Sequence, residues 1–287
     1  MPDTSAAGAP DAASEHDAER SLFGAAKACI LACAVEEKLK RSALAARAWR
    51  AGVLDHDVGP PPESIPSPGH PERPRLVAPR EVPRRRLGTP EGRAALIHAL
   101  AHIELNAVNL AWDAVYRFRH LPRAYYDDWV RVADEETRHF GLLRKRLRVL
   151  GFDYGDFPAH RGLWEMAVKT ADDVLVRMAL VPRVLEARGL DVTPGMVERL
   201  EAAGDYETAG VLEIIHRDEK GHVAVGSHWY RYCCEQRGLD SAATFRDLLN
   251  RHMKGRIKGP FAEAARREAG FTAEELTDLR ALEAGAE

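Results

Sequence analysis

Long apolar runs, thiolate metal motifs, a strong net charge and alternating strand patterns are all missing from this sequence, and each absence closes a class of function. No stretch offers the roughly 20 unbroken apolar residues that a membrane-spanning helix needs. The four cysteines, Cys29, Cys33, Cys233 and Cys234, form neither a C-x-x-C pair nor a secreted disulfide framework and read as reduced, mostly buried thiols. A net charge of −3 over 287 residues creates no global field toward nucleic acid or a membrane. Arg84-Arg85-Arg86 is a local basic run, read as a solvated loop. Residues 1–20 are rich in Ala and Asp, without a basic start or an apolar core. They predict a disordered lead-in rather than a signal peptide, and with it a cytoplasmic location. No flavin or nicotinamide fingerprint is present, and no segment alternates at period two for long enough to argue a strand.

What is there is helical. Residues 21–58 are rich in Ala, Leu and Lys at helical spacing and predict one long helix or two short ones. Residues 59–90 hold ten of the 17 prolines, which rules out regular structure and predicts an extended strap over the surface. Thr89-Pro90-Glu91 reads as a cap, a proline at the first helical position and an acid in the first turn, opening a helix to about Arg119. Pro122 opens a second helix that stops at Gly151. Residues 152–160 read as a crossover loop, followed by helical pieces at Leu163 to Lys169 and at Ala171 to Arg188. Gly189 is expected to close the latter, Pro182 to bend it, and Thr193-Pro194 to start a short return helix. Tyr206 to Gln236 forms the fourth long helix, and residues 239–287 add short helices near 242–252, 260–269 and 273–284. The fold class is all-α: a four-helix bundle over 91–238 with helical additions at both ends.

Within that bundle one pattern repeats. Glu136-Thr137-Arg138-His139 and Glu219-Lys220-Gly221-His222 each set a carboxylate beside an imidazole on one helical face. Each is preceded by a glutamate on an earlier apolar helix, Glu104 and Glu186, at separations of 136 − 104 = 32 and 219 − 186 = 33. Two antiparallel helices joined by a short loop return to one level over such a span. Ile97, Ala101, Val108 and Ala111 flank Glu104, and the other three glutamates sit on comparable apolar stripes. Four carboxylates turned into an apolar interior each cost several kcal/mol unless something positive compensates. Arg183, one turn before Glu186, is the clearest cation, and one cation does not offset four anions. A pair of divalent metal ions does. Carboxylates with two imidazoles and no thiolate suit iron or manganese rather than structural zinc. Glu104, Glu136, His139, Glu186, Glu219 and His222 are the candidate ligands, with Glu104 and Glu186 terminal and Glu136 and Glu219 bridging. Glu135 and Asp218, one residue ahead of the bridging glutamates, are placed to hold the far nitrogens of the histidines. His216, a turn before Glu219 on the same face, reads as a histidine that supports the ligands or is hydrogen-bonded in the core, with a seventh ligand as the alternative. Trp112, Tyr116, Phe140, Trp164 and Trp229 read as core packing.

These residues resemble the ferritin-like di-iron carboxylate superfamily, in which multicomponent monooxygenases and ribonucleotide reductase small subunits carry paired acid-Glu-x-x-His motifs. More closely, residues 83–270 are similar to a bacterial ferritin-like family catalogued as a domain of unknown function. The stretches that carry this are Gly88-Thr89-Pro90-Glu91-Gly92-Arg93, His102-Ile103-Glu104-Leu105, residues 154–160 (YGDFPAH) and residues 185–191 (LEARGLD). The resemblance implies a bundle holding two iron ions, with Mn/Fe or Mn pairs also compatible, and it implies no substrate. Reductase subunits place a radical tyrosine one turn after the first ligating histidine, where this chain has Leu143. That removes a tyrosyl radical at this position and leaves Tyr116 and Tyr206 to be placed. Storage ferritins are shorter and lack the strap.

The expected function is an oxidoreductase that uses O2 at the metal pair to oxidise or hydroxylate a small organic substrate, with electrons from an external donor. A tRNA-modifying hydroxylase is one alternative and needs a basic face, to which Arg117, Arg119, Arg123 and Arg84 to Arg86 would contribute; the near-neutral charge argues against it. A metal-binding, ferroxidase-type protective protein without organic substrate is another. The sequence leaves room for a homodimer.

Overall fold

Helical spacing, side-chain caps and glycine stops set the elements. In a computed structural model, residues 20–57, 61–78, 81, 87–160, 162–253 and 257–284 are described. The lead-in up to residue 19 and the Arg84 to Arg86 run lie outside these residues. Among the described residues, eleven α-helices and one π-helical segment follow in order: α1 (Leu22–Leu31), α2 (Val35–Arg50), α3 (Pro90–Arg117), α4 (Arg123–Val149), α5 (Gly162–Lys169) and α6 (Val174–Leu180). Then come the π-helical segment Val181–Glu186, α7 (Ala187–Ala202), α8 (Tyr206–Gln236), α9 (Ser241–His252), α10 (Glu263–Glu268) and α11 (Ala273–Ala284). The described residues contain no strand beyond two isolated bridging pairs. The protein is all-α.

The caps are those the sequence implies. Thr89 Oγ1 accepts from Gly92 N at 3.1 Å, with Pro90 opening α3. Asp205 accepts from Thr208 N at the head of α8. Gly151, at φ +84°, ends α4, and Gly238, at φ +62°, follows α8, both in the left-handed region that a side chain disfavours.

Packing assembles a four-helix bundle: α3 lies along α4, α7 along α8, and the two pairs meet where α4 faces α8. The α1–α2 hairpin covers the outer side of α3 and α4, and α9 to α11 pack on α6, α7 and α8. Helix α3 is long and apolar enough to cross a membrane by length and composition, yet 72% of its apolar window is buried inside the bundle. Residues 61–78 of the strap lie against the surface. Gly69 N donates to Ile30 O at 2.9 Å and Val77 N to Ala159 O at 2.8 Å.

One expectation fails between residues 174 and 202. Gly189 does not close a helix and Thr193-Pro194 does not start one; the helical path is continuous and Pro194 lies inside α7. Burial of Leu190, Thr193, Met196 and Leu200 outweighs the helix-breaking preference of glycine and proline here. The bend expected at Pro182 is a π turn over Val181–Glu186. Cys33 is also exposed, while Cys29, Cys233 and Cys234 are buried.

The interior is split. One apolar cluster takes Val108, Val115, Tyr125, Trp129, Val223 and Trp229; the other takes Ile97, Ala101, Phe140, Leu143, Leu212 and Ile215. On α3, α4 and α8 the boundary falls at residues 104–107, 136–139 and 219–222. All three Glu and both His of those turns therefore form a polar layer between two apolar ones.

Candidate metal centre

Spacing of three residues on straight helices brings Glu136 and His139 of α4, and Glu219 and His222 of α8, to that layer from facing helices. Glu104 joins from α3, and Glu186 from the last residue of the π-helical segment. Glu136, His139 and His222 are almost wholly enclosed, at 1%, 0% and 0% exposure. Ligating atoms of Glu104, Glu136, His139 and Glu219 lie within 4.8 Å of one another.

The carboxylate of Glu136 faces both imidazoles. Its Oε2 is 3.3 Å from His139 Nδ1 and its Oε1 is 2.9 Å from His222 Nδ1. Glu104 Oε2 stands 3.5 Å from His139 Nδ1 and Glu219 Oε1 3.4 Å from His222 Nδ1. The opposite nitrogens are braced across the helix pair. His139 Nε2 meets Asp218 Oδ2 of α8 at 3.1 Å, and His222 Nε2 meets Glu135 Oε2 of α4 at 2.8 Å. A carboxylate accepts the Nε2 proton in each case, so that Nδ1, once its own proton is given up, is the lone-pair atom facing the layer. Arg138 pairs with Asp218 and Arg131 with Glu135, so the braces are held from outside. Beneath α4, Trp112 Nε1 donates to Ser42 Oγ at 2.8 Å, and Ser42 is 2.8 Å from Thr137 Oγ1. This tie from α2 fixes the turn between Glu136 and His139, and nothing in the motif itself announces it.

Among the described residues no lysine or arginine pairs directly with a carboxylate of the layer, and Arg177 acts on Glu186 only through its charge. Arg183, expected from its spacing to offset part of the layer's charge, turns away from the carboxylates. Its guanidinium pairs with Glu275 of α11 at 2.7 Å and stacks within 4.6 Å of the rings of Tyr230, Phe245 and Phe271. That partner lies ninety-two residues downstream, beyond the reach of helical spacing. Protons fill the role instead. Burial, then the charge of Glu136, holds the Glu104 carboxyl well above its ordinary range. Burial, then Glu219 and Glu136, pushes Glu186 up to about 8, and burial with Glu136 also raises Glu219. Burial works against the His139 cation, but Glu104 and Glu136 outweigh it and raise the imidazole to about 10. His222 rises likewise, with Glu136 and Glu219 overcoming its burial. Burial alone would raise Glu136, yet His222 and His139 outweigh it and keep this carboxylate ionised. The side chain of Glu186 as a whole is only partly enclosed, whereas its Oε2 is shut off from solvent.

Glu186 Oε2 is buried without a partner, and Glu104 Oε2, Glu136 Oε1 and His222 Nδ1 have only their ion-pair contacts within the layer. Such atoms are costly unless something binds them. The donor set of four carboxylates and two imidazole Nδ1 atoms fits two hard-to-intermediate divalent ions. His216 does not join: its charged neighbours are Lys220 and Glu268, and its buried Nδ1 has no partner. Tyr116 is engaged elsewhere, accepting from Glu63 N at 2.8 Å, and Tyr206 is 67% exposed. Leu143, one turn beyond His139, is fully buried in apolar surroundings.

A family model described as "Protein of unknown function (DUF455)" matches residues 31–277. The match takes in α1 to α11 in part or whole and includes the strap. An uncharacterized protein of Haemophilus influenzae is 50% identical over 213 residues, 72% of this chain and 74% of its own length. No solved structure matches.

Proposed function

The chain belongs to the family described as proteins of unknown function (DUF455), and from that premise we propose that it is a ferritin-like di-metal carboxylate oxidoreductase. In this reading it uses O2 at two iron ions, or a manganese-containing pair, to oxidise or hydroxylate a small organic substrate. Electrons come from an external donor, the location is cytoplasmic, and a homodimer is compatible.

The observation that carries the reading is the posture of Glu136, with one oxygen toward each imidazole Nδ1. Glu104 and His139 would hold one ion and Glu186 and His222 the other, with Glu136 and Glu219 shared between them. Asp218 and Glu135 hold the Nε2 protons, so both rings present the atom a metal requires. A redox-active pair, when bound, supplies the O2 and electron chemistry. The apolar clusters above and below exclude water from the layer, and buried Leu143 offers no phenol one turn from His139.

The tRNA reading draws no support from the described arginines. Arg117 pairs with Asp113, Arg119 stacks on Phe23 and Arg123 on Trp49, so these cations are engaged within the fold.

Metal analysis tests the proposal. Protein loaded with Fe(II) should bind about two equivalents, falling to one or fewer in Glu136→Ala and Glu219→Ala. Two equivalents retained by either variant would refute the ligand set. A reduced, loaded protein that consumes O2 but leaves every compound of a metabolite extract unaltered would replace the oxygenase with the ferroxidase reading.

A further inference from the structure

Away from the metal centre, the strap roofs a cavity of about 440 Å³ against α3 and α5. Its position is separate from the polar layer. On α3, His102, Asn106 and Asn109 line the cavity, and at ~100° per residue they sit roughly 140–200° around the axis from Glu104. The body of the helix therefore stands between the two places.

The cavity is built rather than incidental. Its roof is pinned at both ends. At Gly69 a Cβ would collide with the Leu31 carbonyl oxygen, so only glycine lets the strap approach the end of α1. Beyond it, Val77 N donates to Ala159 O and Ala159 N to Arg75 O. The walls are chiefly apolar: prolines 66, 68, 71 and 74 above, with Leu105, Trp164 and Val168 below and beside. Volume and lining match those of sites for small organic ligands.

Its few polar groups are specific. Lys38 Nζ donates to Asn109 Oδ1 at 2.7 Å and to the carbonyls of Cys29 and Ile30 at 2.8 Å each. An ammonium only donates, so the Asn109 oxygen is committed to it and the Nδ2 donors remain for the cavity. Trp164 lines the cavity and is 3% exposed, with its Nε1–H shut off from solvent. His102 is committed to Tyr154 and to the His160 carbonyl, at 2.8 and 2.9 Å, and burial holds it neutral with its pKa lowered to about 4. The charged lining side chains, Glu165 and Lys169, are exposed, and the deeper polar surface is the neutral Asn109 amide beside the committed His102.

We propose that this cavity is a second binding site, for an uncharged planar ring molecule carrying a carbonyl that accepts from Asn109 Nδ2. The proline rings and the indole take the faces of the ring system. The site does not depend on the reading of the metal centre.

The test uses 6-propionyl-2-(dimethylamino)naphthalene, an uncharged planar ketone whose emission shifts to the blue when desolvated, titrated into the full-length metal-loaded protein. Saturable binding of about one equivalent is expected, weakened at least about tenfold by two variants. Val168→Trp fills the cavity from a position 43% exposed, and Asn109→Asp removes the donor while giving Lys38 a carboxylate partner. Melting temperature and metal content of both should stay at wild-type values, and Glu219→Gln should bind the probe as wild type does. Absence of saturable binding, unaltered affinity in both cavity variants, or loss of binding in Glu219→Gln would each overturn the proposal.

Discussion

Glu136 remains ionised because two imidazoles share it, and the groups around it hold protons that an unfolded chain would release. The signs follow from these shifts. Glu186, raised from 4.5 to about 8, contributes stability that is complete below 4.5 and lost as pH rises to about 8. His139, raised from 6.5 to about 10, contributes stability that is complete below 6.5 and lost as pH climbs through about 10. Glu104, Glu219 and His222 act in the same direction. Glu136, lowered, acts in the opposite one: its contribution is present above 4.5 and disappears in acid. Metal-stripped protein should therefore melt roughly 5 °C or more lower at about pH 9 than at about pH 6. Glu186→Gln should flatten the slope between 4.5 and about 8. Metal uptake should release protons, seen by calorimetry in buffers of different ionisation enthalpy. A metal-free melting temperature that rises over that range would remove protonation as the substitute for metal charge.

At the scale of elements, the π-helical segment is the least regular part of the bundle and ends on Glu186. Its placement depends on Gly226 of α8, where a Cβ would collide with the ring of Pro182. Gly226→Ala should thus cost about 1–3 kcal/mol through overpacking and lower metal content by displacing Glu186. Gly221, inside the second Glu-x-x-His, has nothing within 4 Å of where a Cβ would stand and serves as the comparison. Gly221→Ala should melt at or above the wild-type temperature with metal content unchanged, since alanine is the better helix former by up to about 1 kcal/mol. Equal melting and equal metal content in the two variants would show that the Pro182 contact does not set the segment. The long helices were legible because a 3.6-residue period and caps such as Thr89-Pro90 are local. The path from 174 to 202 was not, since Gly189 and Pro194 signal breaks that burial against α8 overrides.

At the scale of the molecule, the additions outside the bundle hold it from three sides. The α1–α2 hairpin supplies Ser42 under the first motif and Lys38 under the cavity. Helix α11 supplies Glu275 to Arg183, and the strap closes the face of α3 opposite the metal centre. Because Gly69 is the narrow point of the strap, Gly69→Ala should lift it and break the bond to Ile30. Trypsin cleavage after exposed Arg75 should then accelerate at least about tenfold, measured on folded protein. An unchanged cleavage rate would mean the strap is held elsewhere. The sequence by itself determined the all-helical class, three of the four long helices and the repeated Glu … Glu-x-x-His set, because residues three and four apart must share a helical face. Only the tertiary structure decided that Asp218 braces His139 and Glu135 braces His222, that Arg183 serves α11, and that strap and α3 enclose a cavity. Those pairings depend on the rotation and register of one helix against another, which the packing of the whole chain sets and no local spacing records.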